Sequence, residues 1–247
     1  MVMLPRHVGG YHKWIGAISK NLEMRISLII PALNEAECLS RLLAEVPADL
    51  VDQTIVVDNA STDGTAEVAR LGGAQVIHEP RRGYGYACAA GVAAAGGEVL
   101  VFMDGDGSFV PGEMPDLLLP LVEGSADLVL GSRRLNHPIQ DTMPLPQRYG
   151  NHLFVWLLYK RFNLKLTDLG PYRAIWRDLL LELNLHEHTY GWPLEMIIKT
   201  TRRCRRIVEV PVSYRSRYGG QSKVGGTLRG SLLSGYRFSL VMLRHAL

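Results

Sequence analysis

The chain reads as an α/β protein with a mostly parallel sheet flanked by helices and an extension on its carboxyl-terminal side. Three observations predict this. Short β-rich apolar runs alternate with segments whose apolar residues recur at helical spacing, which implies βαβ units. Polar residues stand directly after several of the apolar runs, where an open parallel sheet gathers its ligands. At 247 residues, 47% hydrophobic and 21% charged, the chain is long enough to bury a large core in one domain.

The elements follow in order. Residues 25–33 (RISLIIPAL) form the first predicted strand. Residues 35–46 place Cys38, Leu39, Leu42, Leu43 and Val46 at the helical period. Residues 54–57 (TIVV) make a second strand that ends at Asp58. Ser61-Thr62-Asp63-Gly64 is a turn, with Ser61 or Thr62 as the cap of a helix over 65–71. Strands over 74–78, 99–103 and 126–130 alternate with an alanine-rich helix over 85–95 and a helix over 114–122. Beyond Gly131 the pattern changes. Pro138, Pro144 and Pro146 interrupt a loop over 135–147, a helix over 149–162 follows, and residues 167–173 are a polar turn. The run 207–214 (IVEVPVSY) is a strand that Pro211 assigns to a sheet edge. A Gly-rich basic loop over 215–226 leads into a final helix over 227–247, with apolar residues at Leu228, Leu232, Leu233, Tyr236, Leu240 and Leu243.

Three regions result: an N-terminal extension over 1–23, read as poorly structured, a main domain over 24–226, and an amphipathic helix over 227–247. The first 23 residues lack the apolar core and cleavage site of a signal peptide. No apolar run reaches the roughly 20 residues that span a bilayer. A net charge of +3 is too small to argue for nucleic acid. Three cysteines without a CxxC pair suggest neither a disulfide framework nor a zinc site, and fit a reducing, cytoplasmic setting.

Asp104-Gly105-Asp106 is the most informative motif. It follows the apolar run 99–103, so two carboxylates stand where a buried strand meets solvent. Such a triplet makes a good turn. It also suits Mg²⁺ or Mn²⁺ shared with a substrate diphosphate. Asn34-Glu35 and Asp58-Asn59 follow the first two strands, and the topology brings all three pairs to one sheet edge. Gly131-Ser132-Arg133-Arg134 adds cations there. The loop from Arg215 to Lys223 reads either as a mobile basic segment or as a phosphate-closing one, with Arg215, Arg217 and Lys223 around Gly219-Gly220. Gly83-Tyr84-Gly85 is only half of a dinucleotide fingerprint. His186-Glu187-His188 reads as a solvated helix end rather than a metal site. The run Arg202-Arg203-Cys204-Arg205-Arg206 is a solvated face or, more sharply, an attraction to anionic lipid heads or a phosphate-bearing acceptor.

With these motifs assembled, residues 24–224 resemble a family 2 glycosyltransferase of the GT-A fold, and within it the dolichyl- or polyprenyl-phosphate sugar synthases. The likeness rests on Pro31-Ala32-Leu33-Asn34-Glu35, residues 57–65 (VDNASTDGT), Arg82-Gly83-Tyr84-Gly85, Asp104-Gly105-Asp106, Gly131-Ser132-Arg133 and Gly219-Gly220-Gln221-Ser222-Lys223, in the family's order. The resemblance implies roles. Pro31, Ala32, Asn34 and Glu35 would line the nucleoside pocket, Asp58 would bond the base, and Asp63 would hold the turn. Gly83 and Gly105 belong to the donor site. Asp104 would face ribose or metal, and Asp106 would ligate the metal. Arg133, Arg215, Arg217 and Lys223 would face the diphosphate or an acceptor phosphate.

The chain departs from the family at three places. Asn59 stands where a second acid is usual, and Ser108 where the phosphate-sugar synthases often carry a Gln. The acidic turn before Gly-Phe-Arg appears as residues 167–173 (TDLGPYR), shifted by about a residue. The expected reaction is inverting attack on the anomeric carbon of a UDP- or GDP-linked hexose, through an oxocarbenium-like transition state. The acceptor is polyprenyl phosphate or a small soluble molecule. A hydroxyl acceptor needs a base, for which Asp168 and Glu195 are the candidates; Glu195 has an alternative reading as a carboxylate favouring a helix N-terminus. A nucleotidyltransferase would carry a Gly-rich basic signature where Pro31 to Glu35 stand. A non-catalytic nucleotide-sugar binding module would have no need of both Asp104 and Asp106. The final helix, with Arg229, Arg237 and Arg244, reads as a peripheral contact with the inner face of the membrane, or as core or a homodimer contact.

Overall fold

A computed structural model describes residues 24–135, 145–220 and 228–246. The extension over 1–23, the middle of the proline-rich loop and Lys223 lie outside the described residues. Seven strands form one sheet in the order β3-β2-β1-β4-β6-β5-β7. They are β1 (Ile26–Ala32), β2 (Gln53–Asp58), β3 (Gln75–His78), β4 (Val99–Phe102), β5 (Leu128–Ser132), β6 (Arg173–Trp176) and β7 (Ile207–Pro211). The helices are α1 (Ala36–Ala44), α2 (Thr65–Leu71), α3 (Tyr84–Ala94), α4 (Met114–Val122), α5 (Leu145–Phe162), α6 (Arg177–Leu183), α7 (Trp192–Arg202) and α8 (Leu228–Ala246).

The α/β class and the mostly parallel sheet hold, and one strand was not predicted. β1, β2, β3 and β4 pair in parallel, as does β5 with β7. Between β4 and β5 lies β6, antiparallel to both. This strand falls at the end of the predicted polar turn. It has four residues, Arg173-Ala174-Ile175-Trp176, no period-two alternation, and runs straight into α6. Antiparallel insertion has a consequence for the site: the amino end of β6 lies at the same sheet edge as the carboxyl ends of its neighbours. The loop over 167–172 therefore joins Asn34, Asp58, Asp104 and Arg133 at that edge. Pro211 closes β7 at the end of the strand order, where its missing N–H costs no ladder bond.

The strands explain why this sheet is covered on both faces. β1 reads Ile-Ser-Leu-Ile-Ile-Pro-Ala and is buried along nearly its whole length, as a parallel strand between two helical layers must be. Ile26, Leu28 and Ile30 pack with Leu39 and Leu42 of α1 and Leu117, Leu118 and Leu121 of α4. Ile29 points the other way, into a core with Cys88 and Val92 of α3, Phe154 and Leu158 of α5, Ile197 of α7 and Val241 of α8. Strand periodicity of two splits β1 between two cores and pins its register.

Candidate active site

The first turn of the site is built at the end of β1. Pro31 is half-buried and Ala32 buried, with the Ala32 carbonyl accepting from the Asn59 N–H at 2.8 Å. Asn34 adopts φ 52°, a left-handed conformation that Asn tolerates. Its backbone N–H donates to Ser61 Oγ at 3.0 Å, and its Oδ1 accepts from the Thr62 N–H at 2.8 Å. Asp63, not Ser61 or Thr62, takes the N–H of Thr65 in the first turn of α2, at 3.0 Å, and also accepts the Ala36 N–H. Asp63 thus locks the starts of α1 and α2 together, and Ser61 and Thr62 are spent on Asn34.

Asp58 ends β2 and is buried. Burial alone would raise its pKa, but the Ser61 N–H at 3.0 Å and His78 at 3.1 Å outweigh it and hold the carboxyl below the usual range. Asn59 answers the missing second acid. Its Nδ2 donates to the carbonyls of Glu79 and Arg81, at 3.0 and 2.7 Å, while its Oδ1 accepts the Gly83 N–H at 2.8 Å. An ionised carboxylate could not donate to those two carbonyls. Asn59 therefore staples the 79–83 segment to β2, and the start of α3 with it. Gly83 is needed for close approach, because a Cβ there would overlap the carbonyl oxygen of His188. His186-Glu187-His188 lies in the loop after α6, with both histidines exposed as read and the segment docked on the start of α3. Tyr86 donates its N–H to the His188 carbonyl and stacks on the His188 ring at 4.3 Å, and Glu187 is buried.

Asp104 and Asp106 follow β4, and a Cβ at Gly105 between them would crowd Ile30 at 3.3 Å. Burial, and then the neighbouring Asp106 carboxylate, push Asp104 up to about 7. Two carboxyl groups crowded this way favour a cation between them. Ser108 takes up one oxygen of Asp106: its N–H and Oγ both reach Oδ1, at 2.9 and 2.6 Å. Ser108 thus orients the carboxylate rather than enlarging a ligand set. Among the described residues no group of three His, Cys, Asp or Glu converges as a metal cage. A two-carboxylate donor set fits a hard divalent ion that completes its shell with substrate oxygens and water.

The described part of the basic loop is zipped onto this same turn. Tyr214 bridges to Phe109, the Arg215 N–H donates to the Ser108 carbonyl at 2.9 Å, and the Tyr218 N–H to the Asp106 carbonyl at 3.1 Å. The Tyr218 ring lies over Gly107, at φ 77°, where any Cβ would collide with it. This registration turns Arg217 inward. Its Nη2 donates to Glu35 at 2.7 Å. Burial opposes its charge, but Glu35 and then Asp106 outweigh that and raise its pKa. Arg215 turns the other way. Its Nη2 bonds Glu45 at 2.5 Å, its Nε donates to the Gly107 carbonyl at 2.7 Å, and its guanidinium lies over Tyr218. It braces the loop from outside. Lys223 lies outside the described residues.

Arg133 and Asp168 form the other wall. Arg133 follows β5, and its Nε and Nη2 fork onto Asp168 at 2.7 and 2.8 Å, with its backbone N–H on Oδ2 at 3.0 Å. Asp168 is fully buried. Burial would raise its pKa, but the Arg133 guanidinium and the N–H groups of Arg133 and Leu169 keep it below the usual range. Glu209 of β7 accepts the N–H groups of Thr167 and Asp168 at 2.7 and 2.9 Å and holds that turn. Asp168 therefore supports Arg133. Glu195 takes the place its second reading gave it, in the first turn of α7. Oε2 accepts the N–H groups of His186 and Glu187 at 2.9 and 2.7 Å, and Oε1 pairs with Lys199 at 2.7 Å. Despite burial, those partners lower its pKa. It ties the 186–187 loop to α7.

Arg173 escaped the sequence reading. It is fully buried in β6, where its guanidinium donates to the carbonyls of Gly170 and Pro193 at 2.5 and 3.1 Å and interacts electrostatically with Asp104. Its signal was its place at the end of the 167–173 turn, the Arg that matches the family's Gly-Phe-Arg. Arg202 to Arg206 remain an exposed face, with Arg206 on Asp127 and Arg205 near Glu182.

Asp104 and Asp106 at a strand end, closed by Arg217 and backed by Arg133, suit chemistry on a nucleotide diphosphate. The model of glycosyl transferase family 2 matches residues 27–181. The chain belongs to that family. As a member it is an enzyme, a glycosyltransferase. An uncharacterised glycosyltransferase of Mycobacterium tuberculosis is 42% identical over 85% of this chain and 94% of its own length. The undecaprenyl-phosphate mannosyltransferase of Micrococcus luteus is 36% identical over 84% of this chain and 90% of its own. A dolichyl-phosphate hexose transferase of Haloferax volcanii is 32% identical over 78% and 84%. Among solved structures, glucosyl-3-phosphoglycerate synthase of M. tuberculosis, crystallised with Mn²⁺, UDP-glucose and phosphoglyceric acid, superposes with a TM-score of 0.75. That match covers 99% of this chain and 85% of the synthase at 23% identity. It establishes the shared GT-A fold of this family 2 glycosyltransferase.

Proposed function

We propose that this enzyme transfers a hexose, with inversion, from a UDP- or GDP-linked donor to polyprenyl phosphate. The observation that carries the reading is the convergence of Asp104, Asp106, Arg217 and Arg133 on one sheet edge, beside Asp58. Asp58 is kept ionised to accept an N–H of the base, and the turn locked by Asn34 and Asp63 shapes the nucleoside pocket with Pro31, Ala32 and Glu35. Asp104 and Asp106 would hold Mg²⁺ or Mn²⁺; when bound, the ion neutralises the diphosphate as it departs. Arg217, with Lys223 from the same basic loop, adds fixed positive charge where that negative charge develops. Arg133, held by Asp168, would offer only its remaining N–H groups to an acceptor phosphate.

The acceptor reading rests on two supports. Relatives at 36% and 32% identity, similar over most of their lengths, are named for lipid-phosphate acceptors. Both base candidates, Asp168 and Glu195, are committed to structural partners, which suits an acceptor that arrives ionised. A soluble hydroxyl acceptor is the second reading and would need a base. The test is release of UDP or GDP from a panel of sugar donors with Mn²⁺ or Mg²⁺, with and without polyprenyl phosphate. Acceptor-dependent release that Asp106→Ala and EDTA both abolish is expected. Full turnover in EDTA would remove the metal, and donor binding without turnover under any condition would leave a binding module.

A further inference from the structure

The apolar stripe of the last helix is neither core nor buried seam. α8 leans on the core through Val241 and Met242, while Leu232, Tyr236 and Leu243 on the opposite side stand exposed, the two leucines at 66%. α5 repeats the arrangement. Phe154 and Leu158 enter the same core, and Tyr149, Leu153 and Trp156, at spacings of four and three, face outward, with Tyr149 at 73% exposure. Phe154 packs edge-on against Phe238 at 5.1 Å and sets the two helices side by side. Both outer stripes therefore look away from one body. Surface patches of this kind mark an interaction site.

Charge and residue type choose the occupant. Neither helix contains an Asp or Glu, whereas together they carry Arg148, Lys160, Arg161, Arg237 and Arg244. Lys160 and Arg161 are exposed at the end of α5. Trp and Tyr among leucines, with basic residues and no acids, is the composition of a helix lying in the headgroup layer of an anionic bilayer. Among the described residues no helix is long and apolar enough to cross a membrane. We infer that the outer face of α5 and α8 docks this enzyme on anionic phospholipid.

The face is joined directly to the catalytic edge. Asn151 of α5 donates to the Thr167 carbonyl at 3.1 Å and accepts the Leu169 N–H at 3.0 Å, which flank Asp168. Arg134, next to Arg133, meets His152 of α5 at 2.6 Å. A bilayer under α5 thus lies at the Arg133 side of the site. The inference stands on the helix surfaces and does not require the acceptor to be a lipid.

The test is sedimentation of the purified chain with phosphatidylcholine vesicles, with and without phosphatidylglycerol, in the absence of donor and acceptor. Binding to the anionic vesicles, weakened by salt and by Lys160→Glu, is expected. Combining Trp156→Ser, Tyr236→Ser and Leu243→Ser, all solvent-facing, should weaken it by more than about tenfold with an unchanged circular dichroism spectrum. No binding to either vesicle overturns the inference. So does a concentration-dependent dimer dissolved by the same triple change, which would assign the face to a second copy. Donor turnover on a soluble or detergent-dispersed acceptor is measured separately, so loss of docking and loss of the proposed reaction are distinguishable.

Discussion

Replacing Asp168 with Asn separates a supporting role from a chemical one. In the native site the Asp168 carboxylate receives the fork of Arg133 at 2.7 and 2.8 Å and the N–H groups of Arg133 and Leu169, with none of its surface exposed. Removing one member of a buried ion pair costs about 3–5 kcal/mol. Asn keeps the shape and one carbonyl oxygen, so the lower end, about 3 kcal/mol, is expected. For a chain of this size that is a fall in Tm of about 6–12 °C. The sign with pH follows from the lowered pKa of Asp168. Its stabilisation is full above the unfolded carboxylate value of about 4 and is lost as pH falls through the lower folded value. The gap in Tm between wild type and Asp168→Asn is therefore constant near neutrality and narrows in acid. In turnover assays kcat falls because Arg133 is released, while the pH profile above about 5 keeps its shape. Scanning calorimetry across pH and a kcat–pH profile check both. An unchanged Tm together with the loss of one ionisation from the kcat profile would refute the supporting role and make Asp168 a base.

Two further outcomes test the contacts around the site. Glu195→Gln should lower stability by about 1–3 kcal/mol, since it weakens the grip on the 186–187 N–H groups and on Lys199. Its kcat should stay within a few-fold; a hundredfold loss of kcat at unchanged Tm would return Glu195 to the chemistry. Gly107→Ala forces a Cβ into the Tyr218 ring at φ 77°, a strain of order 1–3 kcal/mol. Lifting Tyr218 should displace Arg217 and raise the donor KM, and unchanged Tm and KM would show that the loop is not clamped there.

Much of the frame was legible because burial writes itself into local pattern. The runs at β1, β2 and β4 and the helical period of α1 and α4 fall within a residue or two of the structure. β6 and the α6–α7 pair were not legible. A four-residue strand carries too few residues to show a period, α6 follows it with no turn between, and α7 buries every residue from Trp192 to Ile198, so no polar face marks it. Charge was legible as type but not as partner. From sequence, Arg215, Arg217 and Arg133 read as facing phosphate, Asp168 as a candidate base, and Glu195 as either a base or a helix N-terminal carboxylate. Arg217 and Arg133 are built into the site's walls, while Arg215, Asp168 and Glu195 are committed to Glu45, Arg133 and Lys199.

By itself the sequence determined the α/β class, the edge at which the polar residues gather, and the order of motifs that places this chain in its family. These depend on strand ends, turns and short spacings, which are local. Tertiary structure alone decided which ions pair, why Asn59 serves where an acid is usual, and which way the stripe of the last helix points. Each depends on what arrives from elsewhere in the chain: carbonyls at 79 and 81 for Asn59, an arginine thirty-five residues away for Asp168. For α8, a core that accepts Val241 and Met242 leaves Leu232, Tyr236 and Leu243 to solvent.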